Sequence, residues 1–326
     1  MDLTAEMEEY LRRLESGRFP RPPREALVYA AGGEIFGPEM HLAFNAAPYI
    51  VIGEYATAID KAGVQILEIG CGTGYDTAYL KQHFIRRASL TGADRVAALP
   101  RYAARAYSGP GLNFMSADAC CLPFRTECFD MVFSVYSIIH TMDRDGAGIC
   151  LSEISRVLKP GGRLIFTTPN RKLSQDLYHE NPNDDPRLFF SHLLRSEYYR
   201  EELESLLLSR GTGTEKLFTS ISIEGIANTA LRPAFKEVLA ELGNRRFTGT
   251  GKEALLPILA RRILPHCFKA RYFFRKIRQA CRKRNITLRD IARGVRHYSE
   301  ITDKAVDHFI VIARKGKSEG YKMHDA

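Results

Sequence analysis

The chain has 326 residues, with 47 lysines and arginines against 38 aspartates and glutamates, a formal charge of +9 and no tryptophan. That length buries a large core and leaves about 120 residues beyond an α/β domain of some 200. No apolar run reaches membrane-spanning length, the opening MDLTAEMEEYLRRLESG is amphipathic and acidic rather than signal-like, and the seven cysteines show no paired metal-knuckle spacing, which argues against a helical membrane protein, a disulfide framework or a bound metal and for the cytoplasm.

An opening helix, a proline-rich stretch FPRPPREA (19–26) and a helical approach to a sheet through about Ala62 come first. Within that approach, His41, Asn45 and Tyr49 are candidates to touch a substrate, although most of the segment serves to stabilise the domain. ILEIGCGTG, Ile66 to Gly74, then joins an apolar strand to a turn crowded with glycine. A backbone without β-carbons passes close to a ligand, so a nucleoside-bearing cofactor is expected over the end of a parallel sheet. Glu68 beside this turn suits an ammonium or sulfonium centre better than a pyrophosphate, which favours N–H donors and a positive helix end. Cys71 inside the turn reads as a small packing residue rather than a nucleophile.

The next strand, SLTGAD (89–94), ends in Asp94, placed to accept both ribose hydroxyls of a nucleoside, a position that would serve NAD equally well. In NFMSADACCLPF (113–124), Asp118 and the main chain of Ala119 meet the adenine edge in this reading. FDMVFSVYSIIH (129–140) reads as a fourth strand ending near the reactive end of the cofactor, and KPGG (159–162) as a turn into a fifth, RLIFTTP. Acid-tipped strands separated by helix-sized intervals describe an open α/β sheet with its site along one edge.

Beyond Pro169 a polar, turn-rich connection through YHENPNDDPRLFFSH (178–192) leads to a helix near Ser196 to Ser209, a sixth strand in LFTSISIEG and a last strand in VDHFIVIARK (306–315). The implied organisation is a helical region and lid over 1–62, a core over 63–230, a basic helical cap over 231–302, a final core strand over 303–315 and a tail over 316–326. From Lys252 to Arg296 fourteen basic residues face two acids, an excess larger than the net charge of the whole chain. Such asymmetry attracts anionic lipid, a phosphate-bearing small molecule or RNA, and it also describes a merely solvated face.

From about Gly63 to Asn170 the chain resembles the class I S-adenosylmethionine-dependent methyltransferases. EIGCGTG is similar to their glycine-rich motif, GAD to their ribose acid, SADACCLPF to their adenine segment, and ECFDMVFS with LKPGGRLIF to their fourth and fifth strands. The later pattern resembles small-molecule and glycan-pathway members. The resemblance implies a Rossmann-like, seven-stranded, mostly parallel sheet with a helical cap inserted between strands six and seven. It implies S-adenosylmethionine held by Glu68, Gly70, Cys71, Gly72, Gly74, Asp94, Asp118 and Ala119.

The implied reaction is methyl transfer, foremost to an oxygen of a small-molecule, glycan or lipid-linked acceptor. N- or C-methylation of a metabolite or RNA, and a cofactor-binding regulator without turnover, stand as alternatives. An Asn/Asp-Pro-Pro-Tyr/Phe run is missing after strand four, where VYSIIH stands, which disfavours base methylation. His140 is the candidate general base or positioning group, because neutral imidazole accepts a proton near neutral pH. Tyr136, Tyr178, His179 and His192, with Tyr49, are the expected substrate contacts, and the basic cap is the expected contact with an anionic or membrane surface.

Overall fold

The computed structural model describes residues 3–16, 41–107, 109–139, 141–170, 198–209, 217–234, 237–238, 266–299 and 306–316. The proline-rich stretch, His140, Tyr178, His179 and His192 lie outside them.

Eight strands form one sheet in the spatial order β3-β2-β1-β4-β5-β8-β6-β7. They are β1 (Gln65–Ile69), β2 (Ser89–Asp94), β3 (Leu112–Ser116), β4 (Phe129–Ser134), β5 (Leu158–Pro169), β6 (Ser220–Asn228), β7 (Val295–Tyr298) and β8 (His308–Arg314). β1 through β5 pair in parallel, β8 runs antiparallel between β5 and β6, and β7 runs antiparallel on the outer side of β6. The expected seven strands are therefore eight, the additional one, β7, lying within the stretch 231–302 expected to be a helical cap. Arg296 and His297 make VRHY look polar, as suits an edge strand with one exposed side. His297 points inward nevertheless, with Nε2 2.6 Å from Glu224 Oε2, and Tyr55 donates to the other oxygen of the same carboxylate at 3.0 Å.

Side-chain alternation along the strands builds two apolar layers. Ile66, Met131, Phe133, Ile165 and Ile310 enter one; Leu67, Val132, Leu164, Phe166 and Val311 enter the other. The first layer is covered by α1 (Thr4–Glu15), a π-helical turn (Leu42–Ala46) continuing into α2 (Ala47–Thr57), and α3 (Tyr75–His83). Leu3, Met7, Tyr10, Leu11 and Leu14 form the buried stripe of α1 at helical spacing. Farther along the same layer lie α7 (His266–Lys283), through Ile277, Ala280 and Cys281, and α8 (Leu288–Arg293), through Ile291 and Ala292. The second layer is covered by α5 (Arg144–Val157) and α6 (Arg200–Leu207). Between β2 and β3 runs α4 (Ala98–Ala106).

Local chemistry sets the element ends. Asp143 caps α5 by accepting from the Gly146 amide at 2.8 Å. Thr287 and Asp290 form a reciprocal capping box on α8, at 2.8 and 3.1 Å. KPGG is drawn into β5 rather than preceding it, with the register against β4 shifting between Phe129 and Met131.

Candidate active site

All four stations named from the sequence sit at the carboxyl ends of neighbouring strands. In order along the sheet edge they are Asp118 after β3, Asp94 at the end of β2, the glycine turn after β1 and the exit of β4. Ligands bind parallel α/β sheets at this edge, outside the strand ends.

The turn is fixed by its neighbours. Gly70 and Cys71 donate their amides to Ala93 O at 2.7 and 3.0 Å, and Gly74 donates to Cys71 O at 2.9 Å. Gly70 has φ +83°, and a β-carbon there would overlap the Ser137 side chain, so only glycine lets the β4 exit lie against the turn. Cys71 is buried, and its β-carbon packs over Gly92 of β2, which agrees with a packing side chain.

Asp94 spans the gap between two stations: Oδ2 accepts from Gly72 N at 3.1 Å and Oδ1 from Val96 N at 2.8 Å. Burial pushes its carboxyl up, opposed by these two amides and by Arg95. Each oxygen keeps a lone pair for a ribose hydroxyl. The amide of Ala117 donates to Asp94 O at 3.1 Å, which brings the exposed Asp118 alongside. Asp118 closes a local turn, accepting from Cys120 N at 2.9 Å, and Ala119 is buried in that turn.

Glu68 does not stand open at the mouth. It is fully buried between β1, α2 and α3, and Oε1 accepts from the Tyr49 hydroxyl. Oε2 has no hydrogen-bond partner, the nearby Thr77 hydroxyl lying outside hydrogen-bond geometry. Desolvation pushes the carboxyl up to about 8, with the Tyr49 and Thr77 hydroxyls opposing and the Asp76 and Asp94 charges adding. A buried carboxyl with one unsatisfied oxygen under a glycine turn suits a cationic group above it. Together with the open lone pairs of Asp94, this donor and acceptor set fits S-adenosylmethionine. Tyr49, expected at the substrate, has its hydroxyl on Glu68 instead.

The β4 exit is held in an unusual backbone path. Tyr136 and Ile139 have φ of +50° and +51°, a region that costs energy for side chains with β-carbons. The Tyr136 amide donates to Thr167 Oγ1 at 3.0 Å, its ring meets His308 edge-on with centroids 4.9 Å apart, and burial drives its hydroxyl pKa upward. Thr141 Oγ1 donates to Ser137 O at 2.6 Å. His140 falls between these described neighbours and is itself outside the described residues.

One constellation escaped the sequence reading. Tyr10 of α1 donates to Asp76 Oδ1 in the first turn of α3, and His41 Nε2 lies 2.7 Å from the Tyr10 hydroxyl and 3.0 Å from Asp76. His41 is thus a buried tether rather than a free substrate contact. Arg13 donates to Tyr75 O at 2.8 Å and stacks over the Tyr75 ring, 4.2 Å from its centroid. The one local signal was an acid in the turn after the glycines, where a helix start favours negative charge.

Residues 66–162 match the model of a family described as "Methyltransferase domain". That stretch, from β1 into β5, is the part of the chain similar to a methyltransferase domain. The chain is 38 % identical over 112 residues to the phthiotriol/phenolphthiotriol dimycocerosates methyltransferase 1 of Mycobacterium ulcerans, covering 34 % of this chain and 40 % of that one. It is equally 38 % identical over 112 residues to the fatty-acid O-methyltransferase of Mycolicibacterium smegmatis, covering 34 % and 39 %. The match therefore spans about two fifths of the length of these relatives. The fold matches that of the Haemonchus contortus phosphoethanolamine N-methyltransferase 2 in complex with S-adenosyl-L-methionine, at TM-score 0.50 and 21 % identity, over 90 % of this chain and 57 % of that one. Among the described residues, no helix is long and apolar enough to cross a membrane.

Proposed function

We propose that this methyltransferase moves the methyl group of S-adenosylmethionine to an oxygen of a lipid-linked or small-molecule acceptor. The observation that carries the reading is the 38 % identity to two methyltransferases, one named for transfer to fatty-acid oxygen. The cofactor, when bound, supplies an electrophilic methyl group. The residues of the chain do the remaining work. Asp94 accepts the ribose hydroxyls, Asp118 and the Ala119 main chain meet adenine, and the turn with Gly70, Cys71, Gly72 and Gly74 wraps the amino-acid end above Glu68. The β4 exit, with Tyr136, walls the cleft from water and aligns the acceptor in line with the bond to be broken. Tyr178, His179 and His192 are proposed to complete the acceptor side.

The acceptor decides whether a base is required. A carboxylate is already ionised at neutral pH and requires alignment alone, whereas an alcohol or phenol must lose a proton, which His140 is proposed to accept. The reaction on this reading runs in the cytoplasm or at a membrane face bordering it. The basic stretch 252–296 is the one feature favouring RNA as acceptor instead.

The test is transfer of radiolabelled methyl from S-adenosylmethionine to fatty acids, fatty alcohols, lipid extract and RNA. Label in the lipid phase is expected, with His140→Ala lowering turnover on alcohols and sparing carboxylates. Well-folded protein that binds neither S-adenosylmethionine nor S-adenosylhomocysteine by calorimetry would overturn the reading.

A further inference from the structure

We propose that the exposed basic side of α7 and α8 docks the protein on an anionic lipid bilayer, so that the cofactor end of the sheet borders the membrane. The proposal rests on the reading of the acceptor as a lipid, which is delivered in a bilayer rather than in water.

The two helices are sharply divided. Ile277, Ala280, Cys281, Ile291 and Ala292 face the core, while Arg275, Arg282, Lys283, Arg284, Arg289 and Arg293 are exposed. The one acid of this stretch, Asp290, is engaged in the capping box with Thr287. Lys283 and Arg284 meet Glu237 at 2.8 and 2.7 Å, and Arg293 lies 3.9 Å from Glu8. Arg282 and Arg289 form no ion pair among the described residues, so their charge is available to a partner.

The position of this side relative to the cleft follows from three contacts. Asn228, the last residue of β6, donates through Nδ2 to Ile291 O of α8 at 3.1 Å, and the Thr229 amide donates to Gly294 O at 2.9 Å. β6 points the same way as β1, since both neighbours of β8 run opposite to it. α8 therefore sits at the strand end that also carries Gly70 to Gly74. It packs on α1, whose Tyr10 reaches Asp76 at the head of α3.

Long-range charge gives the orientation. From Arg275 to Arg293 the two helices carry eight basic residues against one acid, Asp290. An anionic surface attracts this side, which favours docking through these two helices.

The test is flotation of the full chain with vesicles of phosphatidylcholine alone and of phosphatidylcholine with one third phosphatidylglycerol. Binding is expected to the anionic vesicles alone and to be released by high salt. The double variant Arg282→Gln/Arg289→Gln should partition roughly twenty-five-fold more weakly, about fivefold per arginine. A control, Lys61→Gln/Arg87→Gln, at the opposite end of the sheet, should bind as the parent does. Equal partition onto neutral vesicles, equal loss in both variants, or binding to polyuridylate with no vesicle partition would overturn the proposal. S-adenosylhomocysteine calorimetry in the same samples separates the two readings: lost cofactor binding with intact flotation defeats the methyltransferase assignment alone.

Discussion

At the scale of single residues, Glu68 makes the most specific demands. Its carboxyl is pushed up to about 8 in the folded protein against an ordinary value of 4.5. Folding therefore takes up a proton between these values. The stability linked to it is complete below about pH 4.5 and is lost as pH rises through about 8. Glu68→Gln keeps the neutral shape, so the ligand-free variant should match the parent below about pH 4.5, pull ahead of it as pH rises from there, and exceed it by about 3–5 kcal/mol at about pH 9, measured by thermal melts across pH. A cation bound above the carboxyl favours its ionised form. S-adenosylhomocysteine binding near neutral pH should accordingly release a proton, seen as a calorimetric heat that varies with buffer ionisation enthalpy, and the Gln variant should lose that dependence. Asp94→Asn removes charge while keeping one acceptor for the Gly72 or Val96 amide. It should weaken S-adenosylhomocysteine roughly tenfold and lower the melting temperature little, and unchanged affinity would reject its ribose role.

At the scale of elements, the glycine turn and the β4 exit are one unit. Gly70→Ala forces a side chain onto Ser137 at φ +83° and should cost about 2–4 kcal/mol in urea unfolding together with loss of cofactor binding. These parts were legible because the signals are local. SLTGAD is β2 to the residue, since a short apolar run ending in an acid has few other readings. The inner strands were legible because burial on both faces makes them continuously apolar. β7 was not, because a four-residue edge strand with arginine and histidine carries little apolar pattern. The Tyr10, His41 and Asp76 cluster was not legible either, as its members are drawn together from 31 and 66 residues away. Tyr10→Phe leaves Asp76 short of a donor inside the core and should destabilise by about 1–2 kcal/mol, with faster amide exchange in α1 as the readout.

At the scale of the whole molecule, a ligand that binds the folded state alone raises its stability by mass action. S-adenosylhomocysteine at a hundred times its Kd should add about 2.7 kcal/mol, a rise of several degrees in Tm by differential scanning fluorimetry. The first apolar layer is finished by segments far apart in the sequence, α1 near residue 10 and α8 near residue 290. On the ribosome, α1 emerges long before α8 and waits for the whole intervening sheet to be made before that partner exists. Its apolar stripe is exposed meanwhile to chaperones or to unwanted association. Closure over so long a loop makes late docking of α1 the expected slow phase of refolding.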